Sequence, residues 1–231
     1  MKTAYISSFS DIHLQIYGEK FFEGFENVSD PLYFYAENFS KDDSFDFNQT
    51  IVEHKEFFDH IKNLQSKLTN RKEIRRLDKA LRWSYKSYVI IHALENIDTD
   101  YLVWIDGDVQ VLQTPPDNLC ESLCGDSLMF GFEENVAHMK HIESGFIIFN
   151  KRHPNINLIL DGYKEGYYNR EILNLPKPWD GFWLAALTDR PNIKKHCNLK
   201  KGPFNCIKEY FYHDVGKDKF IQNNVNKYLG R

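Results

Sequence analysis

The chain has 231 residues, with 29 Lys+Arg against 33 Asp+Glu for a formal charge of −4; 42 % of residues are hydrophobic and 27 % charged. That balance suits one globular domain and excludes a disordered chain or a general nucleic-acid binder, while no apolar run approaches the roughly 20 residues of a membrane span. Aromatics reach 15 %, which means a dense core or surfaces that stack on flat ligands.

In chain order, Thr3 to Ile6 is a short apolar run that reads as a strand. Ser7 and Ser8 interrupt it too early for a secretory signal, so the expected compartment is cytoplasmic. A helix is predicted from about Asp11, a plausible N-cap, to Asn27, followed by a β-prone run, Leu32-Tyr33-Phe34-Tyr35, behind Pro31. Strand, helix, strand is the opening of an α/β protein with a largely parallel sheet. Residues 40–50 are polar and read as loop, and Val52 to Leu94 is mostly helical by pattern. Tyr101 to Ile105 is the cleanest buried strand, bounded by Asp100 and Asp106; Val109 to Leu112 is a second short run. Further strands are expected at Met129–Phe132 and Gly145–Phe149, and helices at about 154–169 and 179–188, with an irregular tail from Lys195. There is no internal repeat or linker, and neither GxGxxG nor a P-loop.

Asp106-Gly107-Asp108 ends the most apolar strand. In open α/β sheets ligands bind beyond the carboxyl ends of strands, and two carboxylates around a glycine can turn toward one hard cation. The same tripeptide is also ordinary turn chemistry. Arg71, Arg75, Lys79, Arg82 and Lys86 recur at spacings that place them within an arc of about 80° on one helix, clear of the apolar arc of Ile74, Leu77, Leu81, Tyr85 and Tyr88. A solvated basic face is the ordinary reading, but Lys79, Arg82 and Lys86 lie nearest the Asp106 strand and suit phosphate or sugar contacts.

His213, Gly216 and Lys219 form HxxGxxK, which can set an imidazole on a metal and an ammonium on its phosphate. Glu143-Ser144-Gly145 and Trp179-Asp180-Gly181 each put a carboxylate at an element boundary, where it could meet a sugar hydroxyl or merely serve a turn or helix cap. The four cysteines form no CxxC pair and would stay reduced.

Together these residues resemble a GT-A glycosyltransferase over most of the chain, and the HxxGxxK element is similar to that of retaining glycosyltransferase family 8. Glu143 to Asn150 looks like that family's NSGVxLxN strand. The sequence departs from the pattern at Glu143, where Asn is usual, and after Lys219, where Phe220-Ile221 stands in place of Pro-Trp. The resemblance implies a Rossmann-like nucleotide-diphospho-sugar transferase fold, a mostly parallel sheet flanked by helices, in one domain over residues 1–231. Residues 1–112 would form the nucleotide half and 113–231 the acceptor half. It further implies Mn²⁺ or Mg²⁺ on Asp106, Asp108 and His213, and diphosphate or donor contacts from Lys219, Gly216, Lys86, Arg82, Lys79, Ser144 and Gly145. Ser7, Ser8 and Tyr35 would lie near the nucleotide, and Asp180 and Glu143 would face the transferred sugar. The implied donor is a nucleotide sugar, UDP-linked, and the acceptor a hydroxyl of a glycan, lipid-linked or protein partner.

Two other readings compete. Ile105-Asp106-Gly107-Asp108-Val109 also satisfies the first motif of haloacid-dehalogenase-type phosphatases, although about one hundred residues precede it. A carbohydrate-binding domain without chemistry would use the aromatics for sugar stacking.

Overall fold

The computed structural model describes residues 1–37, 45–46, 57, 59–136, 138–202 and 204–213. Strand β1 (Thr3–Phe9) runs through both serines, and α1 (Asp11–Phe25) follows it directly. Ser10, not Asp11, caps this helix: its Oγ accepts from the His13 amide at 3.3 Å. Strands β2 (Leu32–Ala36) and β3 (Phe45–Asp46) come next.

The mostly helical segment expected from Val52 to Leu94 is interrupted within its described part. Residues 59–66 are helical, the chain then leaves the helix, and Asn70 starts α2 (Arg71–Asn96) by accepting from the Lys72 amide at 2.9 Å. A side chain that offers the backbone this bond favours a helix start over helix continuation. Strand β4 (Tyr101–Ile105) has the expected limits, and β5 (Val109–Val111) follows one turn later. Helix α3 (Leu119–Cys124) leads to β6 (Met129–Val136) and β7 (Met139–Asn150), both longer than their apolar cores suggested. Helices α4 (Asn157–Tyr167), α5 (Asp180–Thr188) and α6 (Pro191–Lys194) complete the helical set. The tail is not wholly irregular. It contributes β8 (Cys197–Lys201) beside β6 and β9 (Phe211–His213) beside β5.

The main sheet has the order β3-β2-β1-β4-β7-β6-β8. Its β3-β2, β2-β1, β1-β4 and β6-β8 pairings are parallel, whereas β7 is antiparallel to both β4 and β6. Strand β5 pairs with β9 in a separate two-stranded ribbon. Alternation along β4 divides the core: Leu102 and Trp104 pack with α2, α4 and α5, while Tyr101, Val103 and Ile105 pack with α1, α3 and the ribbon. Both faces are covered, which is why β4 reads as an unbroken apolar run. Most of the large aromatics are absorbed here. Phe9, for example, packs edge-on against Phe21, and Phe146 against Phe211.

Helix α2 lies across the sheet with Leu77, Ala80, Tyr88 and Ile91 inward and Arg71, Arg75, Lys79 and Arg82 exposed. Among the described residues no helix is long and apolar enough to cross a membrane. Leu102, fully buried at the centre of β4, is the position where truncation should tell most clearly. Leu102→Ala is expected to cost about 3 kcal/mol, read as a lower urea midpoint at unchanged slope.

Candidate active site

The carboxyl end of β4 carries the first two functional groups. Beyond Ile105 the Asp106 amide donates to the Gly145 carbonyl at 2.8 Å, and the Val109 amide donates to the Asp106 carbonyl at 3.0 Å. Asp106-Gly107-Asp108 is therefore both a tight turn and a pair of carboxylates at a strand end. Gly107 is required by contact: a Cβ there would fall 2.6 Å from Phe9 Cζ.

Lys86, on α2, reaches under this turn. Its side chain is 6 % exposed, and Nζ lies 2.6 Å from Asp106 Oδ1 and 3.2 Å from Asp180 Oδ2. It also donates to the Ser144 carbonyl at 2.9 Å and to Ser144 Oγ at 3.1 Å. Asp180 is placed by the first residue of α5, and Ser144 by β7. Trp104 Nε1 donates to the same Asp106 Oδ1 at 2.7 Å, so Oδ2 stays outside these contacts. Burial opposes the ammonium, but Asp106 and Asp180 outweigh it and hold the Lys86 pKa above the usual lysine range. For Asp106, burial pushes the carboxyl up to about 6, against the pull of Lys86.

His213 arrives through the ribbon, where β9 pairs residue for residue with β5 and sets His213 opposite Val109. Its Nε2 lies 3.2 Å from Asp108 Oδ1 and its Nδ1 lies 3.4 Å from Glu143 Oε1. Glu143 Oε1 also accepts from the Gly145 amide at 2.9 Å. Gly145 gives the imidazole its room, since a Cβ there would fall 2.7 Å from His213 Cε1. Burial works against a charged His213, but Asp108 and Glu143 raise its pKa to about 10. Asp108 is held below the usual carboxylate range: burial would raise it, and the His213 contact wins.

One ligand atom from each of Asp106, Asp108 and His213 lies within 4.8 Å of the others. Two carboxylate oxygens and an imidazole nitrogen suit Mn²⁺, and Mg²⁺ through the oxygens. Glu143 Oε2 and His213 Nδ1 are buried beside this set without a hydrogen bond. Four carboxylates gather around one ammonium and one imidazole, a surplus of negative charge that fits a divalent cation.

Next to the set opens a cavity of about 220 Å³, bounded by Lys86, Asp106 and Asp108 at one end and by Ser8, His13, Tyr17, Glu37 and Arg82 elsewhere. Ser8 and Arg82 thus reach it. Ser7 and Tyr35 do not: alternation along β1 turns Ser7 into the buried interior, and the fully buried Tyr35 has its hydroxyl 2.9 Å from His92 Nδ1. Lys79 is not in the cavity wall either; its Nζ sits 4.3 Å from the Trp179 ring centroid. Gly216 and Lys219 lie outside the described residues.

Glu37 was not singled out by its sequence pattern. It follows β2 directly, and its Oε1 accepts from Ser8 Oγ at 2.9 Å. The available signal was positional, a carboxylate at the carboxyl end of a strand adjacent to β1. Burial pushes its carboxyl up to about 7, the Ser8 bond opposing. Between its ordinary value of 4.5 and about 7 the folded chain holds a proton that the unfolded chain has lost. Stability should therefore fall as pH rises through that window, by up to about 3 kcal/mol. Glu37→Gln is expected to remove this slope in urea midpoints measured from pH 4.5 to 7.5; an unchanged slope would assign it to other groups.

No protein-family model and no curated protein matches the sequence. Solved structures do. A glycosyltransferase involved in glycosylation of the major capsid of PBCV-1 aligns with a TM-score of 0.56 at 17 % identity, over 97 % of this chain and 100 % of that one. Core-mannan synthase A of Aspergillus fumigatus, in a Mn/GDP form, gives 0.55 at 9 % identity, over 93 % and 75 %. The glycosyltransferase GlyE of Streptococcus pneumoniae gives 0.53 at 10 % identity, over 94 % of this chain and 56 % of that one, so this chain spans little more than half of GlyE. At such identities the likeness concerns architecture, and it is consistent across these structures: the chain has the GT-A glycosyltransferase fold.

Proposed function

We propose that the protein is a metal-dependent glycosyltransferase, moving a sugar from a nucleotide-diphosphate donor, UDP-linked, to an acceptor hydroxyl with retention. The observation that carries this reading is the meeting of Asp106 and Asp108, from the β4–β5 turn, with His213 from β9 beside a cavity at the carboxyl end of β1. In a GT-A fold that arrangement suits a diphosphate bridged to a divalent cation. Mn²⁺ or Mg²⁺ on these three residues would neutralise the charge that develops as the diphosphate departs.

The chain's own groups then divide the work. The cavity residues Ser8, His13, Glu37 and Arg82 belong to 1–112, in keeping with a nucleotide half there. Glu143 and Asp180, from 113–231, contact His213 and Lys86 without lining that cavity, and in this reading they face the transferred sugar. Lys86 keeps Asp106, Asp180 and the Ser144 backbone in fixed relation, so the metal ligands and the sugar-facing carboxylate cannot move independently. In transfer with retention, the acceptor oxygen bonds to the anomeric carbon from the face that the diphosphate leaves. The carbon–oxygen bond to phosphate breaks, and the acceptor proton passes to the departing phosphate oxygen. Asp180 is committed to the Lys86 ammonium, which argues against it as the base of an inverting reaction. Gly216 and Lys219 keep their expected diphosphate roles in this reading.

The competing readings explain less. A dehalogenase-type phosphatase reading leaves His213 and Glu143, gathered beside Asp108, without a role. A sugar-binding domain without chemistry has no need of Lys86, Glu143 and Asp180 buried together beside Asp106, Asp108 and His213.

Asp108→Ala removes one presumptive ligand without touching the Lys86 contacts. It is expected to lower Mn²⁺-dependent turnover of UDP-sugars by roughly a hundredfold or more, with the circular dichroism spectrum unchanged. Undiminished turnover in that variant would sink the assignment.

A further inference from the structure

The basic stripe of α2 is divided by the fold in a way that points to the acceptor. Its last member, Lys86, is buried in the site, and Arg82 lines the cavity. Lys79 turns away from the cavity and lies over the Trp179 indole at 4.3 Å. Lys177 Nζ lies 5.6 Å from the same indole and 5.1 Å from the Phe182 ring. Two ammonium groups thus share one aromatic ring.

Neither has a carboxylate within 4.0 Å among the described residues, and the same holds for Arg71, Arg75 and Arg82. The contrast within the helix is informative. Arg76, off the stripe, is tied to Glu73 at 3.7 Å and to the carbonyls of Leu173 and Leu175. In the β6–β7 hairpin Glu133 is matched by Lys140 at 3.4 Å, while Glu134 lies 3.8 Å from His141, whose pKa burial lowers. In a chain of net charge −4, a row of unmatched cations about 16 Å long is a selective concentration of charge.

Its position assigns it a partner. Trp179 immediately precedes Asp180, Asp180 pairs with Lys86, and neither Trp179, Lys79 nor Lys177 lines the cavity of Ser8, His13 and Glu37. The two ammonium groups are thus placed by sequence beside the carboxylate that would face the transferred sugar, and outside the cavity wall. They stand where an acceptor would approach the transferred sugar.

We propose that the acceptor is an anionic sugar, with its phosphate or carboxylate bound between Lys79 and Lys177 beside Trp179. This rests on the glycosyltransferase reading of the site. Aromatic contacts hold both ammonium groups in place before binding, and a second charge on a longer acceptor would meet Arg75.

The test is ligand-observed NMR titration of the whole protein with hexose 6-phosphates, hexuronates and the parent hexoses, with and without UDP and Mn²⁺. Anionic sugars are expected to bind at least about tenfold tighter than neutral ones, with the advantage shrinking as salt is raised. A stronger preference for one anion identifies phosphate or carboxylate as the natural group. The K79A/K177A double variant should lose the preference while its UDP–Mn²⁺ affinity, measured by calorimetry, stays at the wild-type value. Equal binding of neutral and anionic sugars, no binding of either anion, or a preference that survives K79A/K177A would overturn the proposal. So would attachment to anionic phospholipid vesicles without any anionic-sugar preference, which assigns the stripe to a membrane surface. Failure of wild-type protein to bind UDP with Mn²⁺ would instead remove the transferase reading, and the nucleotide-free titration would still report on the two lysines.

Discussion

A buried ammonium cannot stand alone in a protein interior, and Lys86 organises the site for that reason. It draws carboxylates from β4's end and from the start of α5, and a backbone carbonyl and hydroxyl from β7. Those elements are far apart in sequence and are joined mainly through apolar packing elsewhere. Removing either carboxylate would leave charge uncompensated, so the cluster constrains where α2, β4, β7 and α5 can sit relative to one another. The apolar core sets their rough packing, while the ammonium fixes the register at the carboxyl ends, where ligands bind.

A second constraint is the reversal of β7. A parallel strand beside β4 would present its carboxyl end to the site; the antiparallel β7 presents Glu143, Ser144 and Gly145 from its middle instead. The strand can then continue past the site into the hairpin with β6. The β5–β9 ribbon completes the arrangement by carrying His213 back over Gly145, which is small enough to allow it. Charge distribution follows the same division. Carboxylates collect in the cleft, while Lys79, Arg82 and Lys177 have no carboxylate within 4.0 Å among the described residues.

These features differ in how far the sequence discloses them. Strand β4 is legible to the residue, because a strand covered on both faces is uniformly apolar and is stopped by charge. Asp106 and Asp108 are legible for the same reason, being contiguous with it. Direction is not written in an apolar run, so the antiparallel β7 could not be told from a parallel one. Continuous apolarity also hides alternation: Ser7 and Tyr35 stand at strand ends expected near the nucleotide, and both side chains face the interior. The Asn70 helix start was recoverable from capping chemistry alone, but the high helical tendency on both sides masked it.

The side-chain meetings are the least legible, and their causes are specific. His213 reaches Asp108 because the three-residue β9 pairs with β5; the short run Val109 to Leu112 announces β5, whereas β9 lies in a stretch that reads as an irregular tail. Nearness to the Asp106 strand separates Lys79, Arg82 and Lys86 from Arg71 and Arg75 in the sequence, but helical spacing gives angle and not depth. Depth separates the members of the α2 stripe: Arg75 remains in water, Lys79 rests on an indole, Arg82 reaches a cavity wall and Lys86 is engulfed. One helix face therefore carries cations from solvent into the reaction centre. The same chemical group serves as a surface charge, an aromatic-bound cation and a structural counter-ion according to how much water the fold leaves around it.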